Sequence, residues 1–178
     1  MSIFDNLKKA ATQNGNKSET FSFSALPESV EELKKLPEAT LDTPFKTAAL
    51  TICALCAYAA DANIGIEMLN FLKGPQPLSE YEKSFLKDRF CGKTYVPFSY
   101  FAGTSPENDY TPTAPFTITV SENPHSYEEE GYAKLFIKSS GADSERPVKL
   151  RKKGEQWFLW EQLLMADIRK PKSQDTWA

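Results

Sequence analysis

Apolar and polar residues alternate most clearly in the last third of the chain, where the period of two predicts antiparallel β-strands. The alternating runs lie at residues 116–120, 131–138 and 146–151. The positions predicted to face the core are Ala133, Leu135, Ile137, Val148 and Leu150. Side chains between them, mostly Lys and Arg, are predicted to face solvent.

The run Trp157-Phe158-Leu159-Trp160 contains no polar residue. Because successive strand side chains point to opposite faces, both faces of this strand are apolar and both need cover. The pattern therefore predicts a central strand. Residues 163–168 are predicted either to extend it past a bulge or to form another short strand.

The first half of the chain carries the helical period instead. Helices are predicted at 26–35, 45–60, 64–72 and 79–90. Thr43 and Pro44 mark the start of the second helix, which is apolar nearly all round and is therefore predicted to be the buried core helix. Ser79 and Glu82 have capping-box spacing at the start of the last helix. The residues of that helix predicted to be buried are Tyr81, Phe85 and Leu86.

Two irregular segments separate the helices from the strands. Residues 95–101 are aromatic and β-prone, but Pro97 restricts them to an edge strand or a bend. Residues 103–115 contain three prolines and no periodicity, which is typical of a functional or mobile loop.

Helices followed by strands predict an α+β fold, with the helices on one face of a mostly antiparallel sheet. We expect a single domain over residues 21–178, preceded by an N-terminal arm and polar linker at 1–20. Ile3, Phe4 and Leu7 share one helical face. The arm is predicted to be a loosely packed terminal helix, and weak membrane-surface association through residues 1–11 is the alternative.

Charge is unevenly distributed along the chain. The net charge is −3 overall, −7 for residues 1–130 and +4 for residues 131–178. The acidic balance argues against non-specific nucleic-acid binding. The longest apolar stretch, at 48–60, is too short to span a bilayer. Three cysteines without a secretory signal indicate a reduced, cytoplasmic location.

Catalytic and metal-binding motifs are incomplete. Cys53 and Cys56 have C-x-x-C spacing but lie within an apolar helix, so they are predicted to be small buried hydrophobes. A zinc site would need two more ligands, and only Cys91 and His125 are available. His125 is the only histidine and is predicted to be exposed in a turn. We therefore expect no catalytic residue, no metal site and no cofactor.

Residues 131–137 have a faint likeness to an RNA-binding strand. Glu130 stands where that motif has a basic residue, and Lys134 and Ile137 replace two stacking aromatics. The helix-then-strand order also differs from that fold. No nucleic-acid partner is expected.

Five segments of the second half resemble a family of bacterial domains of unknown function: 95–101, 131–135, 146–154, 157–161 and 168–171. The resemblance covers about residues 25–178 and implies no activity. The last strands are also similar to those of NTF2-like cone folds, in which a lysine-rich strand, a glycine turn and a tryptophan strand are common. That likeness implies a variant of the fold and not a function.

We expect a non-catalytic module that binds another protein, with an immunity-type protein that blocks a toxin as one version. Long loops on a rigid scaffold often carry binding surfaces. The candidate interaction surface comprises Tyr95, Phe98, Tyr100, Tyr110, Tyr132, Lys134, Lys149 and Arg151. The alternative is an NTF2-like small-molecule site or enzyme, with a pocket between sheet and helices lined by Tyr100 and Trp160.

Overall fold

The computed structural model describes residues 17–178. The strands are β1 (Ser18–Phe23), β2 (Phe116–Ser121), β3 (Tyr132–Ile137), β4 (Arg146–Lys153) and β5 (Gln156–Gln162). The α-helices are α1 (Val30–Lys34), α2 (Pro44–Ala60), α3 (Ala62–Lys73) and α4 (Glu80–Phe90). Short 3-10 helices lie at Pro37–Thr40, Val96–Tyr100, Pro106–Asn108 and Lys172–Gln174. The N-terminal helix predicted within residues 1–11 lies outside the described residues.

The five strands form one antiparallel sheet in the order β1-β2-β3-β4-β5, and the predicted α+β fold is confirmed. β1 begins at Ser18, inside the segment predicted to be a linker, because it pairs with β2 along its whole length. In contrast, β2 and β3 pair only at Val120–Ile137 and Ser121–Phe136. The sheet therefore opens between these two strands.

Helix α2 forms the core, as its nearly all-apolar sequence predicts. Thr43 caps its N-terminus by accepting a hydrogen bond from the Lys46 amide at 3.3 Å. The helix lies against four strands of the sheet, and residues such as Leu50, Ile52 and Leu55 are fully buried. No helix within residues 17–178 combines the length and apolar character needed to cross a membrane.

Helix α4 begins with the predicted capping box. The Glu82 amide donates to Ser79 Oγ at 3.1 Å, and the Ser79 amide donates to Glu82 Oε2 at 2.7 Å. The predicted burial of Tyr81 and Phe85 is wrong, whereas that of Leu86 is confirmed. Leu86 and Phe90, four residues apart, form the buried face, since the Phe90 ring stacks on Tyr58 with centroids 4.3 Å apart.

The tryptophan strand is not central, which corrects the sequence prediction. β5 lies at one edge of the sheet, and its side chains are covered without a sixth strand. The Trp157 amide donates to the Leu41 carbonyl at 2.8 Å. The Phe158 ring packs on Gly74, where any Cβ would lie 2.4 Å from a ring carbon. The two apolar faces of β5 correctly indicated that both need cover. Loops and side chains provide this cover, so a central position in the sheet is not required.

Segments predicted from aromatic or proline content also differ. Within the segment 95–101, Val96–Tyr100 forms a 3-10 helix because Pro97 occupies its first turn, where its missing amide is tolerated. The loop at 103–115 contains the 3-10 helix Pro106–Asn108 and is anchored by the buried Tyr110. After β5 the chain makes no further strand through residue 178, and Leu164 and Met165 are buried within a loop.

Close packing of α2 against α3 generates a stability prediction. A Cβ added at Gly65 would lie 2.3 Å from Tyr58 Cβ and 2.4 Å from Tyr58 Cα. Because backbone must then move, Gly65→Ala is expected to lower the free energy of unfolding by about 2 kcal/mol, although alanine favours a helix. Urea unfolding followed by circular dichroism measures this change. Glu67→Ala, on the exposed side of the same helix, should change it by less than about 0.5 kcal/mol.

Candidate functional site

The outer face of the sheet, opposite α2, has two chemically different halves. On β1 and β2 it carries three cross-strand hydroxyl pairs. The pairs, with oxygen separations of 2.9, 3.0 and 3.1 Å, are Ser18–Ser121, Thr20–Thr119 and Ser22–Thr117. These hydroxyls satisfy one another and carry no charge, so this half is a neutral polar surface.

On β3, β4 and β5 the same face is basic and aromatic. The Arg151 guanidinium carbon lies 4.7 Å from the Trp160 ring centroid and 5.5 Å from that of Tyr132. Lys149 Nζ lies 4.6 Å from the Tyr132 centroid, and the Tyr132 and Trp160 rings meet edge to face at 5.8 Å. We call Tyr132, Lys134, Lys149, Arg151 and Trp160 the cationic face.

Positive charge on this face is concentrated by the strand register. Lys134 on β3 lies directly opposite Lys149 on β4. Like charges at opposed positions destabilise a sheet, but Lys149 also lies opposite Glu161 on β5, and nearby carboxylates offset this repulsion. Lys149 Nζ contacts the Glu129 carboxylate at 2.6 Å, and this hydrogen bond raises the pKa of Lys149. Lys149 therefore stays protonated over the physiological range.

The structure separates the eight residues of the predicted interaction surface into three groups. Tyr132, Lys134, Lys149 and Arg151 come together on the cationic face. Tyr100 and Tyr110 are buried, which corrects their assignment to a surface. Their hydroxyls donate to the carbonyls of Leu164 and Arg169 respectively, so they anchor the C-terminal loop.

Tyr95 and Phe98 lie apart from the cationic face. Tyr95 stacks on the buried Tyr110 with ring centroids 5.7 Å apart. Phe98 is half-buried and contacts Phe101 at 6.5 Å between centroids. Both side chains pack the 95–101 segment against the domain, and the structure does not bring them to the predicted surface.

A cleft of about 650 Å³ lies next to the cationic face, at the β5 side of the sheet. The β4–β5 hairpin lines it with Arg151, Lys152 and Lys153, and the aromatic rings are those of Phe158 and Trp160. The segment that follows α3 forms the opposite wall. The basic run was visible in the sequence, but the wall facing it could not be predicted.

A second, apolar cleft of about 290 Å³ adjoins the first. Tyr81 and Phe85 of α4 line it, with 78% and 39% of their surfaces exposed, and Leu163 is 56% exposed. Sequence reasoning missed these residues because it assigned both rings to the core. No sequence signal distinguished them, because the four apolar residues of α4 are no more than one buried face would use.

Lys73 and Glu82 stand where the two clefts meet. Lys73 is buried, and its Nζ lies 3.1 Å from Glu82 Oε1 and 3.3 Å from the Trp160 carbonyl. Burial acts to raise the pKa of Glu82, but hydrogen bonds from the Ser79 amide and Lys73 outweigh it and lower that pKa. The pair therefore holds α4 against β5 in its charged form.

The other candidate chemical groups do not assemble into a site. Cys53 and Cys56 are fully enclosed within α2, and burial raises the pKa of both thiols. His125 lies exposed in its turn, with Nδ1 paired to the Glu128 carboxylate. Within residues 17–178 no group of three or more His, Cys, Asp or Glu side chains is arranged to hold a metal ion.

Fold and surface together define an α+β protein with a solid helix-on-sheet core and a basic, aromatic outer face. The chain belongs to the family described as a domain of unknown function (DUF6935), whose model matches residues 25–172. The resemblance to a family of domains of unknown function is thereby confirmed. Neither curated proteins nor solved structures give a match to this chain.

The ion pair between the clefts generates a pH prediction. Glu82→Gln keeps an acceptor for the capping box but removes the charge that faces Lys73. Because Glu82 is 39% exposed, solvent screens the pair, and a loss of about 0.5–1 kcal/mol in the free energy of unfolding is expected at pH 7.

The folded-state pKa of Glu82 is below its ordinary value of 4.5, so this contribution is present above that value. It should disappear as the pH falls below about 4.5, and variant and wild type should then converge. Urea unfolding at several pH values checks this. Glu67→Gln, at an exposed site on α3, should show no such convergence; equal pH profiles for both variants would contradict the assignment.

Proposed function

We propose that this protein is a non-catalytic module that binds another protein through the cationic face. The observation that carries the proposal is the register that places Lys134 opposite Lys149, beside an Arg151 held over two aromatic rings. Lys134 and Arg151 make no salt bridge within residues 17–178, so acidic groups of a partner could pair with them. Aromatic residues and arginine are the side chains most often found at the energetic centre of protein interfaces.

The same geometry favours a protein over a nucleic acid. Single-stranded nucleic acids bind by stacking bases on open aromatic rings. Here Arg151 already lies over Trp160, and both Lys149 and Arg151 lie over Tyr132. With these rings covered by the protein's own cations, base stacking has little free surface, whereas carboxylates can approach the cations from outside.

One version of this proposal is that the protein is of the immunity type and blocks a toxin. We also propose that it acts in the bacterial cytoplasm. Toxins that act on nucleic acids need a basic active site, and an inhibitor of such a site would need acidic groups. The surface described here is basic, so this version requires a toxin with an acidic surface.

A small-molecule site is the second candidate, and the 650 Å³ cleft is the observation that favours it. Its volume lies within the range of ligand pockets. The site differs from the expected one, because the space between α2 and the sheet is filled by fully buried side chains and Tyr100 is buried away from the cleft. Trp160 lines the cleft, and the basic hairpin would suit an anionic ligand.

Site-specific photo-crosslinking in the native host tests the protein-binding proposal. A photoreactive amino acid replaces Lys134 in one variant and Thr119 in the other, so both probes lie exposed on the outer face of the sheet. We expect an adduct of defined mass from position 134 and none from 119. Mass spectrometry then identifies the crosslinked partner.

The purified partner provides the quantitative measurement. Titration calorimetry should show that Arg151→Ala weakens binding by at least about tenfold, since arginine at an interface centre contributes more than about 1 kcal/mol. Thr119→Ala serves as the matched control and should bind like the wild type. The proposal would be wrong if positions 119 and 134 gave the same adducts, or if Arg151→Ala bound the partner with unchanged affinity.

A further inference from the structure

The two clefts beside β5 form one continuous groove. They share five lining residues, which are Lys73, Glu82, Leu159, Trp160 and Glu161. β5 has seven residues, and at about 3.3 Å per residue the groove that follows it is about 20 Å long. That length suits an extended segment of about six residues. We call this feature the β5 groove.

The two ends of the β5 groove differ in chemistry. At the hairpin end, Arg151, Lys152 and Lys153 supply three positive charges, and none of them makes a salt bridge to any residue in the described range 17–178. The acidic residues of the groove are Glu82, which is paired with Lys73, and Glu161. The hairpin end is therefore net positive.

The opposite end is apolar. Tyr81 and Phe85 stack with ring centroids 6.4 Å apart, and Leu163 lies across from them. Exposing an aromatic pair and a neighbouring leucine to water is unfavourable, and folding of the isolated chain does not remove this cost. Exposed apolar patches of this kind mark contact sites for other molecules.

The backbone of β5 indicates how a partner would be held. The Trp157 amide and carbonyl already bond to the Leu41 carbonyl and the Thr47 hydroxyl, and Lys73 bonds to the Trp160 carbonyl. These contacts occupy the edge that an added strand would need. Recognition in the groove therefore depends on side chains, with acidic groups at one end and bulky apolar groups at the other.

We infer that the β5 groove binds a short segment of a partner protein that carries acidic residues at one end and large apolar residues at the other. Charge complementarity selects the acidic end, and the exposed rings select the apolar end. The inference rests on the proposed protein-binding function and specifies the class of segment recognised. The contact continues onto the cationic face because Arg151 belongs to both surfaces.

Selection from a phage-displayed library of random peptides tests the inference on the full chain. Peptides of about ten residues cover the groove with a margin at each end. We expect the enriched sequences to combine two or more acidic residues with two or more of Leu, Ile, Phe or Trp, separated by a short spacer. Enriched sequences without an acidic bias, or no enrichment at all, would overturn the inference.

Fluorescence anisotropy with a labelled enriched peptide then assigns each end. Lys153→Glu is expected to weaken binding by at least about tenfold and to reduce its salt dependence. Lys93→Glu, the same charge reversal at an exposed position outside both the groove and the cationic face, is the control and should bind within about twofold of wild type. Equal effects of both reversals would show that only net charge matters and would contradict binding of the peptide in the β5 groove.

The apolar end is tested with Tyr81→Ser, which should also weaken binding of the peptide by at least about tenfold. Because Tyr81 is 78% exposed, this change should leave the thermal unfolding curve unaltered. Trp177→Ser removes another exposed ring, outside the groove, and should not affect binding. Loss of binding in both variants would contradict the assignment of the apolar end.

Two further measurements separate other occupants of the groove. Light scattering that shows dimers abolished by Tyr81→Ser would make the groove an interface between copies of this chain and overturn the inference. Binding of labelled oligouridylate that Lys153→Glu abolishes would overturn it in favour of nucleic acid. A crosslinked partner at position 134 without peptide enrichment would overturn the inference about the β5 groove but would leave the protein-binding proposal intact.

Discussion

Burial of helix α2 against one face of the sheet is the interaction on which the structure depends. The helix offers apolar side chains in every direction, so strands, α3 and the 95–101 segment must surround it. Its two buried threonines remain compatible with this environment because each hydroxyl has an acceptor. Thr51 bonds to the Thr47 carbonyl at 2.8 Å, and Thr47 bonds to the Trp157 carbonyl at 2.6 Å.

The Thr47 bond also links the core to the surface. By fixing the Trp157 carbonyl, α2 positions β5 at the sheet edge, and β5 in turn presents Trp160 to Arg151 on the outer face. Lys73 fixes the Trp160 carbonyl from the side of α3. The cationic face and the groove are therefore built on rigid elements, which would reduce the entropy lost on binding the proposed partner.

The two halves of the outer face differ in charge. Paired hydroxyls on β1 and β2 satisfy each other, while Lys134 on β3 and Arg151 on β4 make no salt bridge within residues 17–178. A recognition surface that is confined to β3, β4 and β5 is consistent with both features.

The boundaries of α2, α3 and α4, the strand faces and the caps were predictable from the sequence because they depend on local spacing, whereas α1 begins at Val30 and not near residue 26, since Ser29 caps it. Thr43, the Ser79–Glu82 capping box and the inward positions Leu135 and Leu150 are examples. Four of the eight candidate residues lie on one face, because alternation alone places Tyr132, Lys134, Lys149 and Arg151 on outward positions of neighbouring strands.

Tertiary structure decided the rest, since it depends on which segments meet. Apolarity on both faces of β5 indicates cover but not which segment provides it, and here Gly74 packs on Phe158 while Arg151 lies over Trp160. Burial of Tyr100 and Tyr110 depends on carbonyls some sixty residues away. Tyr81 remains exposed because Phe90, and not the first turn of α4, reaches Tyr58. Local patterns determined the elements and their faces, and long-range packing determined which faces stayed open.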